Sequence, residues 1–263
     1  MTTLQHPTVT SDTYVQSLLR QQFAQRFARL DTAELVQQLA FMIQGHPSKG
    51  VKVVLLVGGA GSGKTTLTRR LVTALRAGGI KADSICTDDY TRGDRAWRQR
   101  QFEGEQLRHP HGKYDFDFMN RTIAAIRSNR DAKRVIKVPT YDPASGLAID
   151  MGEKHYTHAV SVLDVLLVEG DMSEVTQPDL TIYLHVPDEI RLQKRVERDL
   201  AERSYAHPQA IVDSFNLRHT NQHLPFTLPA ADQANIIIMG DILGKIWYYD
   251  LFERAVRAVG LSG

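Results

Sequence analysis

The sequence predicts an α/β protein in three layers, with a mainly parallel sheet between helices. Three observations predict it. Short apolar runs rich in β-branched residues recur along the chain, and several lack alternation, as strands buried on both faces do. Helix-length stretches separate these runs, and such alternation favours a parallel sheet with helices on both faces. The 263 residues, 42% hydrophobic and 24% charged, suit one domain with a sizeable core, with room for a small appendage.

Taken in order, residues 1–47 read as a polar start and then a helical extension. Within it, "LDTAELVQQLAFMIQG" sets Leu35, Leu39 and Met42 at helical spacing, with Asp31 or Thr32 as N-cap and Gly45 as a stop. The main domain is expected to span 48–263. Its strands are expected at 51–57, 82–86, 134–139, 161–169, 180–186 and 234–239, and its helices at 63–77, 115–128, 188–203, 208–222 and 241–258. Residues 89–118 carry no strand signal. A long, charged segment with aromatics directly after a strand reads as a functional loop.

Composition narrows the function classes. Lys plus Arg is 32 and Asp plus Glu is 30, a formal net charge of +2. This balance argues against nucleic acid or an anionic membrane as partner. The single cysteine, Cys86, cannot form an internal disulfide and fits a reducing cytoplasm. The first residues lack a basic and then apolar leader pattern, and the apolar runs are far shorter than a membrane span. Self-association into a homo-oligomer stays open.

The strongest motif is "GGAGSGKTT". Gly58, Gly63, Lys64 and Thr65 fit G-x-x-x-x-G-K-[ST], with a strand before and a helix after. The cradle comprises Gly58, Gly59, Ala60, Gly61, Ser62, Gly63, Lys64, Thr65 and Thr66. Glycines let backbone N–H groups close around phosphate oxygens, and the helix start turns its positive end towards the anion. Lys64 is expected to reach the β and γ phosphates of a nucleoside triphosphate, and Thr65 to ligate Mg²⁺. Glu169 ends the apolar run "VLDVLLVEG", at the sheet edge where ligands bind, and is a second candidate for the metal. Asp164, inside that run, reads as structural.

Three features bear on where the last phosphate goes. "CTDDY" follows a strand and brings Asp88 or Asp89 near the γ-phosphate, where an acceptor hydroxyl needs a group to orient it and take its proton. One of the two serves a turn equally well. Arg191, Arg195 and Arg198 share one helix face, with Arg203 near the end, and could close on the phosphates. Equal numbers of acidic and basic residues also suit a plain solvated helix. No N-K-x-D motif for reading guanine is present.

In order, "GGAGSGKTT", "TDDY", "HP…YDFDFM", "PTYD", "VLLVEG", "RLQKRVERDLAER" and "ANIII" resemble the uridine kinase and phosphoribulokinase family of P-loop kinases, over residues 50 to 240. The resemblance implies a nucleoside-monophosphate-kinase-like P-loop fold and transfer of the ATP γ-phosphate to a small-molecule hydroxyl. It implies Asp88 as base, followed by Tyr90. It also implies Arg195, Arg198 and Arg203 as a lid and Glu169 as the acid at a strand end. Acceptor contacts are expected from Asp88, Tyr90, Asp115 and Tyr141, though Tyr141 could equally be core.

The chain departs from uridine kinases after "HP", where His111 stands in place of an aspartate and Asp115 and Asp117 come later. It departs again after Tyr141 and Asp142, where "PASGLAID" lacks the His and Arg of that family. A nucleoside acceptor is therefore set beside a sugar, sugar-phosphate or pantothenate acceptor. A regulatory ATPase whose phosphate goes to water is the reading from a different class. Arg92, Arg95, Arg98, Arg100 and Arg108 make one segment basic, which suits a phosphorylated substrate or a solvated helix. Trp97 and Phe102 read as packing, and His155 and His158 as surface residues.

Overall fold

A computed structural model of the chain describes residues 28–102, 110–142, 158–171, 174–175, 177–202, 207–240 and 246–250. The main sheet has seven strands. In chain order they are β1 (Ala28–Leu30), β2 (Lys52–Gly58), β3 (Ala82–Cys86), β6 (Val165–Gly170), β7 (Leu180–His185), β8 (Ile236–Gly240) and β9 (Ile246–Asp250). Two further strands, β4 (Ile136–Val138) and β5 (His158–Val160), form an antiparallel pair of their own. The order across the main sheet is β1-β9-β8-β7-β2-β6-β3. From β8 to β3 all pairings are parallel, and β9 and β1 add antiparallel at one edge.

Helices cover both faces: α1 (Thr32–Gly45), α2 (Lys64–Ala77), α3 (Arg95–Phe102), a turn α4 (Pro110–Lys113), α5 (Phe116–Ser128), α6 (Asp188–Glu202), α7 (Pro208–Arg218) and a turn α8 (Ala230–Gln233). Asp31 caps α1 through a capping box with Glu34, so the predicted start is the observed one. Gly45 is its last residue.

Strand β2 shows why the sheet lies in the middle. All seven of its residues are buried. Val53, Leu55 and Val57 face one core with Met119, Ile123 and Ile126 of α5. Val54 and Leu56 face the other with Leu35, Leu39 and Ile43 of α1 and Leu67, Leu71 and Leu75 of α2. Each fully buried leucine contributes about 2 kcal/mol. Leu39→Ala would remove that and leave a cavity, a loss of roughly 3 kcal/mol.

The structure corrects three expectations. Residues 246–250 are not helix. They form β9, and Ile236↔Asp250 through Gly240↔Ile246 pair antiparallel with β8. The run holds β-branched and aromatic residues that fit a strand or a helix on spacing alone, and the open edge of β8 decides between them. The strand expected at 134–139 lies outside the main sheet, in the β4–β5 pair. The helix expected over 208–222 stops at Arg218 and widens into a π-helical segment, His219–Thr227, with Pro225 inside it.

Candidate active site

Parallel pairing aligns the carboxyl ends of β2, β6 and β3. Glu169 stands in register with Leu56 on one side and Cys86 on the other. Gly58, Glu169 and the turn after Cys86 therefore open on one edge, the binding edge of such sheets. Approach here is close. A Cβ on Gly58 would meet the Leu184 carbonyl, and one on Gly170 would fall inside the Thr87 side chain.

The phosphate loop runs from the end of β2 into α2. Gly61 and Gly63 have φ of 86° and 91°, a region that favours glycine. Ser62 is buried and its Oγ has no hydrogen-bond partner among the described residues. Lys64 is buried too. Its Nζ donates to the Gly58 carbonyl (2.7 Å), the Gly59 carbonyl (3.1 Å) and Asp171 Oδ1 (2.7 Å). Thr65 and Thr66 are exposed at the helix start. An orphan hydroxyl, an ammonium and a helix N-terminus fit a polyphosphate.

Glu169 is buried, and its Oε2 has no hydrogen-bond partner among the described residues. Burial pushes its carboxyl up, against the opposing pull of Lys64 and a hydrogen bond with Thr65. A buried, unsatisfied carboxylate oxygen beside a threonine hydroxyl is a donor set suited to Mg²⁺.

Asp171 did not emerge from the sequence. Its only signal was position, two residues past Glu169 on the same strand exit. Burial would raise its carboxyl, but Lys64 and then Lys113 hold it well below the usual carboxylate range. Lys113, inside "HPHGKYDFDF", and Arg218, at the end of α7, carry no motif that would single them out in the sequence.

The two aspartates of "TDDY" separate cleanly. They lie in the 3-10 turn Thr87–Tyr90. Asp89 accepts from the backbone N–H groups of Cys86 (3.0 Å) and Tyr141 (2.9 Å), so it holds the turn. Asp88 has an open face, with 46% of its side chain exposed. Its Oδ1 accepts from the Tyr114 hydroxyl at 3.1 Å and lies 3.8 Å from Lys113 Nζ. Lys113 in turn donates to the Tyr114 oxygen. Burial and then Asp88 push the Tyr114 phenol up, so it stays a donor. Burial pushes the Cys86 thiol up as well, so the thiol stays protonated beside these acids.

Other expected acceptor contacts have different places. Tyr90 is fully buried in the core, its ring edge-on to Phe118 at 5.5 Å, so it cannot meet an acceptor. Asp115 caps α5 by accepting from the Phe118 N–H at 2.9 Å. Tyr141 is partly exposed and near Arg98.

The arginine helix also divides. Arg191 is buried against the loop: its Nη1 donates to the Ala60 carbonyl (3.2 Å), and its guanidinium lies 5.2 Å from the Phe215 ring and pairs with Asp188. Arg195 is buried between α6 and α7, bonded to Asp199 (3.2 Å) and Ser214 Oγ (3.0 Å). It is thus a structural tie first, though it also lines the pocket beside Gly59 and Ala60. Arg198 is the more exposed of the two and bonds to Asp199. Arg203, His155 and Arg108 lie outside the described residues, as does the side chain of His158.

On the far side of Arg191, Asp188, His219 and His223 bring ligand atoms within 4.8 Å of one another. The Arg191 guanidinium already shares the Asp188 carboxylate, which disfavours a second cation there. Burial, then Arg191 and His219, hold the His223 imidazole well below its usual range, so it is neutral.

A phosphate loop with its lysine, an acid ending the neighbouring strand and a carboxylate facing the space between define a P-loop kinase site. The chain belongs to the phosphoribulokinase / uridine kinase family, which matches residues 53–240. It is an ATP-dependent kinase of small molecules. It is 25% identical to a uridine kinase of Limosilactobacillus reuteri over 186 residues, covering 71% of this chain and 82% of the relative. It is 29% identical to a phosphoribulokinase of Synechocystis sp. over 189 residues, covering 71% of this chain and 53% of that one. Its fold is similar to that of a D-glycerate 3-kinase from Cryptococcus neoformans (TM-score 0.58, 14% identity), with 82% of this chain and 99% of that one covered. Among the described residues, no helix is long and apolar enough to cross a membrane.

Proposed function

We propose that the kinase moves the ATP γ-phosphate to a hydroxyl of a small metabolite, with Asp88 as the general base. The observation that carries this is the division of the aspartate pair: Asp89 is consumed by two backbone N–H groups, while Asp88 has an open face on the turn that follows β3, whose last residue pairs with Glu169.

The loop amides and Lys64 bind the triphosphate. Thr65 and Glu169 would hold Mg²⁺, which when bound screens the charge on the phosphate oxygens. Asp88 accepts the proton of the acceptor hydroxyl as its oxygen bonds to the γ-phosphorus. The bond from that phosphorus to the bridging oxygen breaks, and ADP leaves with the electron pair. Arg198, 40% exposed on the lid helix, would neutralise charge as this happens. The partner is thus a small-molecule acceptor. The family offers a uridine-like nucleoside or, alternatively, a sugar, sugar-phosphate or pantothenate-like alcohol. A regulatory ATPase would need none of these.

The test is ADP formation from Mg-ATP with a panel of alcohols, beside Asp88→Asn. Acceptor-dependent turnover lost in the variant supports the reading. Turnover indifferent to every acceptor and to the variant sinks it.

A further inference from the structure

The wall beside Asp88 holds two buried cations with little carboxylate contact among the described residues. Lys113 is 6% exposed and Arg98 is 8% exposed. The Lys113 ammonium touches a phenol oxygen, lies over the Tyr114 ring at 4.3 Å and reaches a carboxylate only at 3.8 Å, on Asp88. Arg98 is anchored by backbone carbonyls alone: Nη1 donates to Gly93 at 2.7 Å and more weakly to Arg92 at 3.5 Å. Among the described residues it has no carboxylate within ion-pair distance. Of the acids near Asp88, Asp171 is paired with Lys64 and Asp89 is bound to two backbone N–H groups.

Buried cations are normally paired, because desolvation is costly when no counter-charge offsets it. Here, among the described residues, Lys113 has a carboxylate only at 3.8 Å and Arg98 has none within ion-pair distance. An ammonium beside an open carboxylate, with a guanidinium tied to the neighbouring Arg92 backbone, forms a site for an anion that also carries a hydroxyl. A neutral nucleoside offers such a wall nothing to pair with.

We propose that the acceptor bound beside Asp88 is itself anionic, a carboxylate- or phosphate-bearing alcohol whose charged group is held by Lys113 and Arg98. This rests on the transfer reading above and narrows it. The competing account is that these cations serve only the γ-phosphate in transit, in which case acceptor charge has no effect.

Matched pairs decide the matter: glycerate against glycerol for a carboxylate, and ribose 5-phosphate against ribose for a phosphate. Binding to the full chain with Mg-ADP present is measured by calorimetry, and phosphate transfer from Mg-ATP separately. At least one anionic member should bind about tenfold or more tighter than its neutral twin. Lys113→Met and Arg98→Gln should each reduce that preference, with thermal melts confirming that the variants fold. The preference of the unaltered chain is a test in itself if a variant fails to fold. Equal or undetectable binding of anionic and neutral members overturns the proposal, as does a preference that both folded variants keep. An anion preference lost in the variants, but without transfer to any acceptor, would leave this site standing and remove the transfer reading. Transfer to ribose or glycerol without anion preference would do the reverse.

Discussion

Lys64 Nζ lies 2.7 Å from Asp171 Oδ1, so the lysine of the phosphate loop is held in place by an acid from the neighbouring strand exit. Burial opposes the Asp171 charge and Lys64 more than offsets it, leaving the folded pKa depressed. A depressed carboxylate adds stability above its unfolded value, near 4, and loses it as pH falls through the folded value. Asp171→Asn should lower stability at pH 7 by about 1 kcal/mol. Melting curves at pH 7 and pH 3 should show the gap between variant and parent narrowing at the lower pH.

Asp88→Asn keeps the shape of the turn, since Asp89 carries its backbone hydrogen bonds. Acceptor-dependent kcat should fall by about 100-fold or more. ATP affinity, read by calorimetry, should change little. A variant with full transfer rate would remove Asp88 from the base role.

Glu169 shows the opposite electrostatics to Asp171. Its folded pKa is raised by burial, so its charge costs stability increasingly as pH rises from the unfolded towards the folded value. Glu169→Gln should therefore melt at a higher temperature than the parent at neutral pH without metal. Its Mg²⁺ requirement should nonetheless rise, with activity down about 10- to 100-fold at fixed metal. A metal titration of ATP turnover measures the second effect.

Burial lowers the Lys113 ammonium to about 8, against Asp88 and Asp171, which raise it, and with Arg218 and Arg98, which lower it further. The Tyr114 phenol, whose own pKa is raised, stays neutral over this range. For an anionic acceptor, kcat/KM should fall as pH climbs through about 8, because the binding charge disappears. Lys113→Met should flatten that alkaline limb. Fold stability should move the other way: from about pH 8 to the unfolded lysine value the unfolded chain binds more protons, so this group adds stability as pH rises.

Arg195 and Arg198 should part company under mutation. Arg195 and Asp199 are 1% and 0% exposed, and removing one member of such a buried pair costs about 3 kcal/mol or more. Arg195→Ala should therefore register mainly in urea unfolding. The Arg198 side chain is 40% exposed. Its alanine variant should lose roughly 1 kcal/mol or less of stability and about tenfold or more in kcat.

What could be read from residues alone followed from local chemistry. The phosphate loop was legible because its glycines, lysine and threonine have fixed spacing between a strand and a helix. The buried strands were legible because Val53 to Val57 or Leu166 to Val168 have no polar face to misassign. The pairing of Asp171 with Lys64, and of Lys113 with the Tyr114 hydroxyl beside Asp88, depends on where separate segments meet, and no periodicity records that. Arg195 illustrates the same limit. Its place on a helix face was plain, but α7 turned that face from solvent into an interior contact. Residues 246–250 failed for a related reason, since a neighbouring strand edge and not the local pattern set their conformation.

The outermost pairing, Ala28↔Tyr248 through Leu30↔Ile246, has consequences beyond catalysis. It joins segments about 200 residues apart, so its closure entropy is among the largest in the molecule and its amides should exchange with solvent early. It also finishes the sheet with a strand of three residues. Among the described residues, so short a rim gives another chain few free backbone groups to template on at this edge.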